Sequence, residues 1–312
     1  MEAFFFTLKT NYRHMKLAVI GLGLIGGSMA KDLRRTRFAT EIIGVDNNPE
    51  NARIALEVGI ADRIESLDSA TKEADIVIVA VPVDKIVLLL PYILDHISPS
   101  TTVIDVGSTK REIALAVKDH PLRGNFIPSH PMSGTENSGP FAAIENLFER
   151  KICIVCDHEQ CRPQHLALAE KMFQSLGMPI AYMSSDEQDH TTAFISHLPH
   201  ATSFALANAV LAIEDRNIIF DLASGGFQST VRLAKSSPQM WSPIFWQNRD
   251  YIHEALEVYI HHLGELKESL KNNDPDRLSE LIVSANKIRG VLEGENPSLT
   301  KNEETIIKLY TK

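Results

Sequence analysis

Lys16-Leu-Ala-Val-Ile-Gly21-Leu-Gly23-Leu24-Ile25-Gly26-Gly27-Ser28 is the stretch that decides the fold. An apolar run of strand length, Leu17 to Ile20, leads straight into Gly21, Gly23 and Gly26, and the pattern predicts a helix from about Leu24 to Leu33. Each glycine has a physical task in that setting. Gly21 permits the tight strand-to-helix turn, Gly23 lets the backbone approach a pyrophosphate, and Gly26 lets the helix pack close on the strand. The helix N-terminus, with Leu24 and Ile25 in its first turn, offers unpaired N–H groups and partial positive charge to phosphates.

A second apolar run, Ile42 to Val45, ends at Asp46, close to twenty residues after Gly26. A carboxylate at that place accepts hydrogen bonds from the adenine ribose of NAD and repels the 2′-phosphate of NADP. Asn47 and Asn48 are neutral, and no Arg follows at once. The competing reading is a purely structural glycine turn with Asp46 capping the next helix.

Outward from this unit the chain alternates. A helix is expected from Pro49 to Val58, ended by Gly59. The run from Ala74 to Val81, closed by Pro82, has the near-continuous apolar character of a strand buried on both faces. A helix from Val83 to His96, a strand from Thr101 to Val106 and a helix from Lys110 to Val117 follow. Asn125 to Pro128 reads as a short strand leading into Ser129-His130-Pro131. Strands Ile152 to Val155 and Pro179 to Met183 flank a helix from Pro163 to Leu176. The alternation predicts a doubly wound α/β sheet over residues 15–184.

Past Ser184 strand patterns largely vanish, and helices are expected over Asp189 to Ile213, Met240 to Leu270 and Asp274 to Leu292. Residues 185–295 therefore read as a separate all-helical domain. Residues 1–14 read as an extension preceding the fold, and 296–312 as a loosely held tail.

Composition narrows the class. With 312 residues, 44% hydrophobic and 23% charged, the chain has room for two domains and a sizeable core. A formal net charge of −9 argues against nucleic acid or an anionic membrane as main partner. An anionic ligand must then be caught by a local cationic pocket. No apolar run has the length of a membrane span. Phe4-Phe5-Phe6 is too short for a secretory signal, and the odd cysteine count suits a reducing cytoplasm. Cys153, Cys156 and Cys161 continue an apolar strand rather than forming spaced ligand pairs, so no metal is expected.

In an open α/β sheet, ligands sit beyond the carboxyl ends of the strands. The glycine loop, Asp46, Val81, Pro82, Ser108 and His130 all fall at such ends. His130, followed by the Gly- and Ser-rich loop Met132-Ser-Gly-Thr135-Glu136-Asn-Ser-Gly139, is placed to act as a base near a nicotinamide. In Ser196-His197-Leu-Pro-His200 the two histidines share one helical face, fit to recognise an anion or to form a satisfied core pair. Ala223-Ser-Gly225-Gly226-Phe-Gln228 runs on to Arg232 and Trp241, and Arg232 could clamp a carboxylate or lie solvated at the surface.

Taken together, the glycine loop, Ser-His-Pro-Met-Ser-Gly-Thr-Glu, Ser-His-Leu-Pro-His and Ala-Ser-Gly-Gly-Phe with its following Arg-Leu-Ala and Trp resemble the prephenate/arogenate dehydrogenase family, from Met15 to about Leu292. The resemblance implies a Rossmann domain followed by a helical dimerisation domain, a homodimer, and NAD-dependent oxidative decarboxylation. The substrate would be prephenate, giving 4-hydroxyphenylpyruvate, or arogenate, giving tyrosine directly. It implies His130 as acceptor of the C4 hydroxyl proton, with Ser108 orienting that hydroxyl. Arg232 would bind a substrate carboxylate, Ser196, His197 and His200 would line the pocket with Thr135 and Gly226, and Glu136 would help order it. Trp241 would reach the neighbouring subunit's pocket. Gln228 stands where relatives can have Lys, which bears on the choice between a keto acid and an amino acid side chain.

Two rivals remain. A dehydrogenase of 3-hydroxy acids or imines would use a Lys on the first helix of the second domain, and none occurs between Asp189 and Ile213. A non-catalytic NAD(H) sensor would keep the fold but not the His and Arg positions.

Overall fold

The computed structural model describes residues 15–213 and 225–292. Eight strands form one sheet in the order β3-β2-β1-β4-β5-β6-β7-β8. They are β1 Lys16–Ile20, β2 Glu41–Val45, β3 Arg63–Ile64, β4 Ile76–Val79, β5 Thr102–Asp105, β6 Phe126–Pro131, β7 Cys153–Cys156 and β8 Ile180–Met183. Neighbours from β3 to β6 run parallel, β7 lies antiparallel to β6, and β8 is parallel to β7. The strand order reverses beside β1, where an open α/β sheet binds its ligand.

The crossovers carry helices α1 Leu24–Arg35, α2 Pro49–Glu57, α3 Leu67–Glu73, α4 Val83–His96, α5 Arg111–Ala116 and α6 Pro163–Ser175. The strands' side chains alternate between two cores, as a period of two requires. Leu17, Val19, Ile76, Ile78, Ile104 and Ile127 pack under α1 and α6. Ala18, Ile20, Val77, Val79, Val103 and Phe126 pack under α4. Burying each Val, Leu or Ile contributes roughly 1.5–3 kcal/mol, enough for these runs to hold both faces of the sheet closed.

The second half is helical, with α7 Ser185–Thr192, a π-turn Ala193–His197, α8 Leu198–Leu211, α9 Gly225–Val231, α10 Pro238–Gln247, α11 Arg249–Lys271, α12 Pro275–Ala285 and α13 Ile288–Leu292. Ser184 caps α7 with a reciprocal Ser184–Glu187 box, so this helix starts earlier than the expected Asp189. The three expected single helices are each split: at the π-turn, at Asn248, which ends α10 and begins α11, and between Ala285 and Ile288. The short β3 and α3 are too brief for their periodicity to show. The proposed extension (1–14) and tail (296–312), with Ala223 and Ser224, lie outside the described residues.

The halves are not independent. Trp241 and Ile244 of α10 join the same apolar core as α4 and the sheet. The helical half also exposes apolar side chains, among them Ile260, Val283 and Leu292. Among the described residues no helix is long and apolar enough to cross a membrane.

The seat of α1 on the glycine loop is tight. A Cβ built at Gly26 would stand 2.1 Å from the Gly21 carbonyl oxygen and 3.0 Å from Val19 Cγ1. Gly26→Ala should therefore push α1 off the loop and cost about 1–3 kcal/mol, as overpacking does. The melting temperature should fall by several degrees; an unchanged melting temperature would show that α1 is not seated this way.

Candidate active site

Backbone bonds between strand ends build the floor of the cleft. Gly21 N–H donates to Val45 O at 2.8 Å, Ala80 N–H to Ile20 O at 2.7 Å and Val106 N–H to Val79 O at 3.2 Å. Gly21 adopts φ +96°, and a Cβ there would meet Ala80 O at 2.5 Å, so only glycine fits. Gly23 opens α1 with no side-chain cap, and the first turn carries no acidic residue. A Cβ on Gly23 would meet only Gly139 N, at 3.9 Å. The first-turn N–H groups of α1, including those of buried Leu24 and half-buried Ile25, are thus left for a phosphate, so the loop fits a dinucleotide pyrophosphate.

Asp46 has a structural task as well as a place at the end of β2. Its carboxylate accepts from Leu22 N–H at 3.0 Å and Asn48 N–H at 2.9 Å, pinning the glycine loop to the end of β2. With Asn51 Nδ2 at 3.4 Å, one of about four acceptor sites remains for a ribose hydroxyl. The helix cap of α2 is Asn48, not Asp46. Val81 is half-buried, and exposed Pro82 opens α4 at the end of β4.

His130 lies inside β6, opposite Ile154 of β7, rather than after the strand. The expected end at Pro128 was short because the antiparallel partner β7 extends the strand, and no local pattern announces it. The ring is buried. Its Nδ1 sits 2.9 Å from Nε2 of Gln188, which also donates to Ser108 O at 3.1 Å. Ser108 itself is half-buried at the end of β5. Burial, then the Lys110 ammonium and His197, push the His130 pKa down to about 3, so the imidazole is neutral.

Behind His130 stands a layer of buried polar groups. Asp105 at the end of β5 accepts from Gly107 N–H at 3.0 Å and Ser129 N–H at 3.2 Å, and it pairs with Lys110 Nζ. Both pair members are completely buried. Asp189 of α7 accepts from the N–H groups of Lys110 at 2.7 Å and Arg111 at 2.9 Å, at the start of α5. None of Asp105, Lys110, Gln188 or Asp189 was singled out from the sequence. A carboxylate closing an apolar strand, as in Val-Ile-Asp105, was the available signal, since buried charges are rare unless paired.

The helical half closes the other side. His197 is buried, and Asn248 Nδ2 stands 3.0 Å from its Nδ1 while donating to Asp189 O at 2.7 Å. Burial, then His200, push its pKa down to about 4. His200 Nδ1 donates to Ser196 O at 2.9 Å, and Ser196 is half-buried. Trp241 stacks on His200 with ring centroids 3.5 Å apart and is only 7% exposed. Within this chain it therefore packs against His200 as part of the same buried aromatic layer. Arg232 pairs with Glu136 at 3.0 Å, so a cation and an anion both expected at the site meet each other. Thr135 accepts from Asn137 N–H at 3.2 Å, and Gly226 lies exposed at the start of α9. Cys153 and Cys161 face one core and Cys156 the opposite face of β7, so the three thiols do not converge.

Comparison with known proteins identifies relatives along most of the chain. The family model for the prephenate dehydrogenase nucleotide-binding domain matches residues 29–182, and that for the prephenate dehydrogenase dimerization domain matches residues 184–284. The prephenate dehydrogenase of Bacillus subtilis is 32% identical over 88% of this chain and 75% of its own length. The crystal structure of the A. aeolicus prephenate dehydrogenase in complex with hydroxyphenyl propionate and NAD+ is 30% identical, with a TM-score of 0.81, covering 90% of this chain and 99% of its own. The Synechocystis arogenate dehydrogenase structure is 32% identical, with a TM-score of 0.72, covering 89% and 100%. The chain belongs to the prephenate dehydrogenase family.

The neutral buried His130 has a consequence for stability. Its folded pKa, about 3, lies below the unfolded value near 6.5. The unfolded chain therefore binds the extra proton as pH falls from 6.5, and the folded state loses ground. His130→Asn removes that effect. The stability advantage of wild type over this variant should shrink by about 1.4 kcal/mol per pH unit between pH 6 and 4. Urea titrations at each pH read it; a constant difference would mean His130 titrates normally.

Proposed function

We propose that this member of the prephenate dehydrogenase family catalyses the oxidative decarboxylation of prephenate to 4-hydroxyphenylpyruvate, with NAD as its cofactor. The observation that carries the reading is the neutral His130 beside Ser108, at the strand ends that also hold the glycine cradle. When bound, NAD supplies the acceptor for the hydride that leaves C4 of the substrate ring. Atoms balance without a net proton: the C4 hydroxyl becomes the phenol of the product, and the C1 carboxylate departs as CO₂. Positive charge grows on C4 as the hydride departs, and a base that takes a strong hydrogen bond from the hydroxyl stabilises it. Neutral His130 fills that role and returns the proton as the ring becomes aromatic. Ser108 orients the same hydroxyl. Aromatisation drives the reaction, so the chain's contribution is placement, charge and exclusion of water.

Arg232 is the cation for a substrate carboxylate, which would replace Glu136 on the guanidinium. His197, His200 and Ser196 line the same pocket, with Thr135 and Gly226 at its rim. Residues 15–184 hold the cofactor and supply His130 and Ser108, and 185–295 form the substrate and dimerisation domain. The exposed apolar side chains Ile260, Val283 and Leu292 suit pairing with a second copy of the helical domain. Asp46 favours NAD over NADP because a 2′-phosphate would face a carboxylate. Arogenate is the alternative substrate; it differs only in the side chain, and the Synechocystis relative is an arogenate dehydrogenase.

The first test is the initial rate of NADH formation with NAD and either prephenate or arogenate. Formation with prephenate alone is expected. Formation with arogenate alone would move the error to side-chain recognition around Gln228, and silence with both, NAD binding intact, would favour a sensor. His130→Asn should depress kcat while leaving NAD affinity intact, and a near-wild-type kcat would sink the base assignment. Arg232→Ala should raise the substrate KM about tenfold or more, since a charge-assisted contact contributes about 1.5–3 kcal/mol. An unchanged KM would leave Arg232 a surface residue.

A further inference from the structure

Gln188 is completely buried on α7, and its amide nitrogen faces Ser108 O at 3.1 Å, His130 Nδ1 at 2.9 Å and Thr192 Oγ1 at 3.3 Å. Its Oε1 is buried without a partner. A carbonyl oxygen can only accept, so the Ser108 carbonyl decides which end of the amide faces it. The –NH₂ group must point there, and its second hydrogen takes the nearer of the two remaining acceptors, His130 Nδ1 at 2.9 Å rather than Thr192 Oγ1 at 3.3 Å. A neutral imidazole carries one N–H, and with Nδ1 accepting, that hydrogen is on Nε2.

We propose that Gln188 is a positioning residue that holds resting His130 with its proton on Nε2, and that the reactive complex needs a half-turn of the Gln188 amide. The half-turn gives up the bond to Ser108 O, the contact that holds the amide in its resting sense, in exchange for an Nδ1–H donating to Oε1, and it frees the Nε2 lone pair for the substrate hydroxyl. The proposal rests on the reading of His130 as the group facing that hydroxyl. The cost of the wrong orienter is known from the serine-protease triad. There, an amide in place of the carboxylate that holds the histidine fixes the wrong tautomer and lowers kcat by about 10⁴. Gln188 differs in having both an acceptor and a donor end, so one side chain can support both tautomers. Two neighbours supply internal standards. Asn248, oriented by Asp189 O, sets His197 as Nε2–H by the same logic. His200, donating from Nδ1 to Ser196 O, is the opposite tautomer.

The test is ¹⁵N NMR of histidine-labelled full-length protein, with His130 signals identified by their loss in His130→Asn. The resting protein should show an unprotonated Nδ1 and a protonated Nε2 at His130. A resting Nδ1–H overturns the assignment. Adding NADH and 4-hydroxyphenylpyruvate, whose phenol must donate to the ring, should move the proton to Nδ1. A ternary complex that keeps Nε2–H overturns the half-turn. Gln188→Leu should abolish the resting preference seen in the spectrum and lower kcat at least tenfold with the KM for NAD unchanged. A spectrum and kcat like those of wild type would remove Gln188 from the mechanism. The resting spectrum reads Gln188 whatever the substrate proves to be. Silence toward both substrates would therefore sink the reaction and leave this assignment standing.

Discussion

The buried pair between Asp105 and Lys110 is the constraint on which the site depends. Asp105 closes β5, and its carboxylate gathers the N–H groups of Gly107 and Ser129 as well as the Lys110 ammonium. Those contacts fix the two segments that carry Ser108 and His130. Ser129 returns the tie by donating its hydroxyl to Asp105 O at 2.6 Å. A buried pair contributes little net stability over apolar packing, but losing one partner strands a charge at a cost of about 3–5 kcal/mol. Its value here is geometric: it leaves the strand ends one arrangement.

The same layer binds the two halves of the chain together. Asp189, on the first helix of the helical half, caps the start of α5 in the nucleotide-binding half. Thr109 donates to Gln247 across the same boundary at 2.6 Å. Trp241 and Ile244 complete the apolar core under α4. Polar ties and a shared core together hold the two halves at this seam. The remaining freedom lies at the rim of the cleft, where the Glu136–Arg232 pair is substantially exposed and can exchange partners.

The legible part of the fold was the part written in local pattern. The strand–glycine–helix unit, the apolar run of β4 and the span of α4 each follow from periodicity and punctuation. So do the places of Asp46 and Ser108 just past the ends of β2 and β5. The rest depends on pairings between distant segments. The extension of β6 through His130 comes from β7, more than twenty residues on. The burial of Trp241 comes from the core under α4 and from stacking on His200, forty-one residues away. Gln188 looks like an ordinary polar residue in a polar helix, Ser185–Thr192, and only its burial against Ser108 and His130 gives it a role. Sequence shows which residue types could do chemistry; it does not show which carbonyl orients them.

Charge decides how the histidines can act. A substrate with two carboxylates entering this cleft favours protonated imidazole, and one opposite charge at close range raises a pKa by about 1–3 units. His130 starts at about 3, so even an upper-range shift from one carboxylate leaves it below neutrality, whereas His197, starting at about 4, comes closer to it. The Lys110 ammonium stays beside His130 throughout and opposes that shift. The loaded site therefore keeps the His130 ring neutral. In the proposed reaction anion binding falls to Arg232 and to N–H donors, while His130 would take a proton only during the step in which positive charge appears on the substrate. A histidine poised near its ordinary pKa would be captured by the incoming carboxylates as imidazolium, with no lone pair left to offer. Deep burial, costly for stability at low pH, is what keeps the His130 lone pair free for the proposed role.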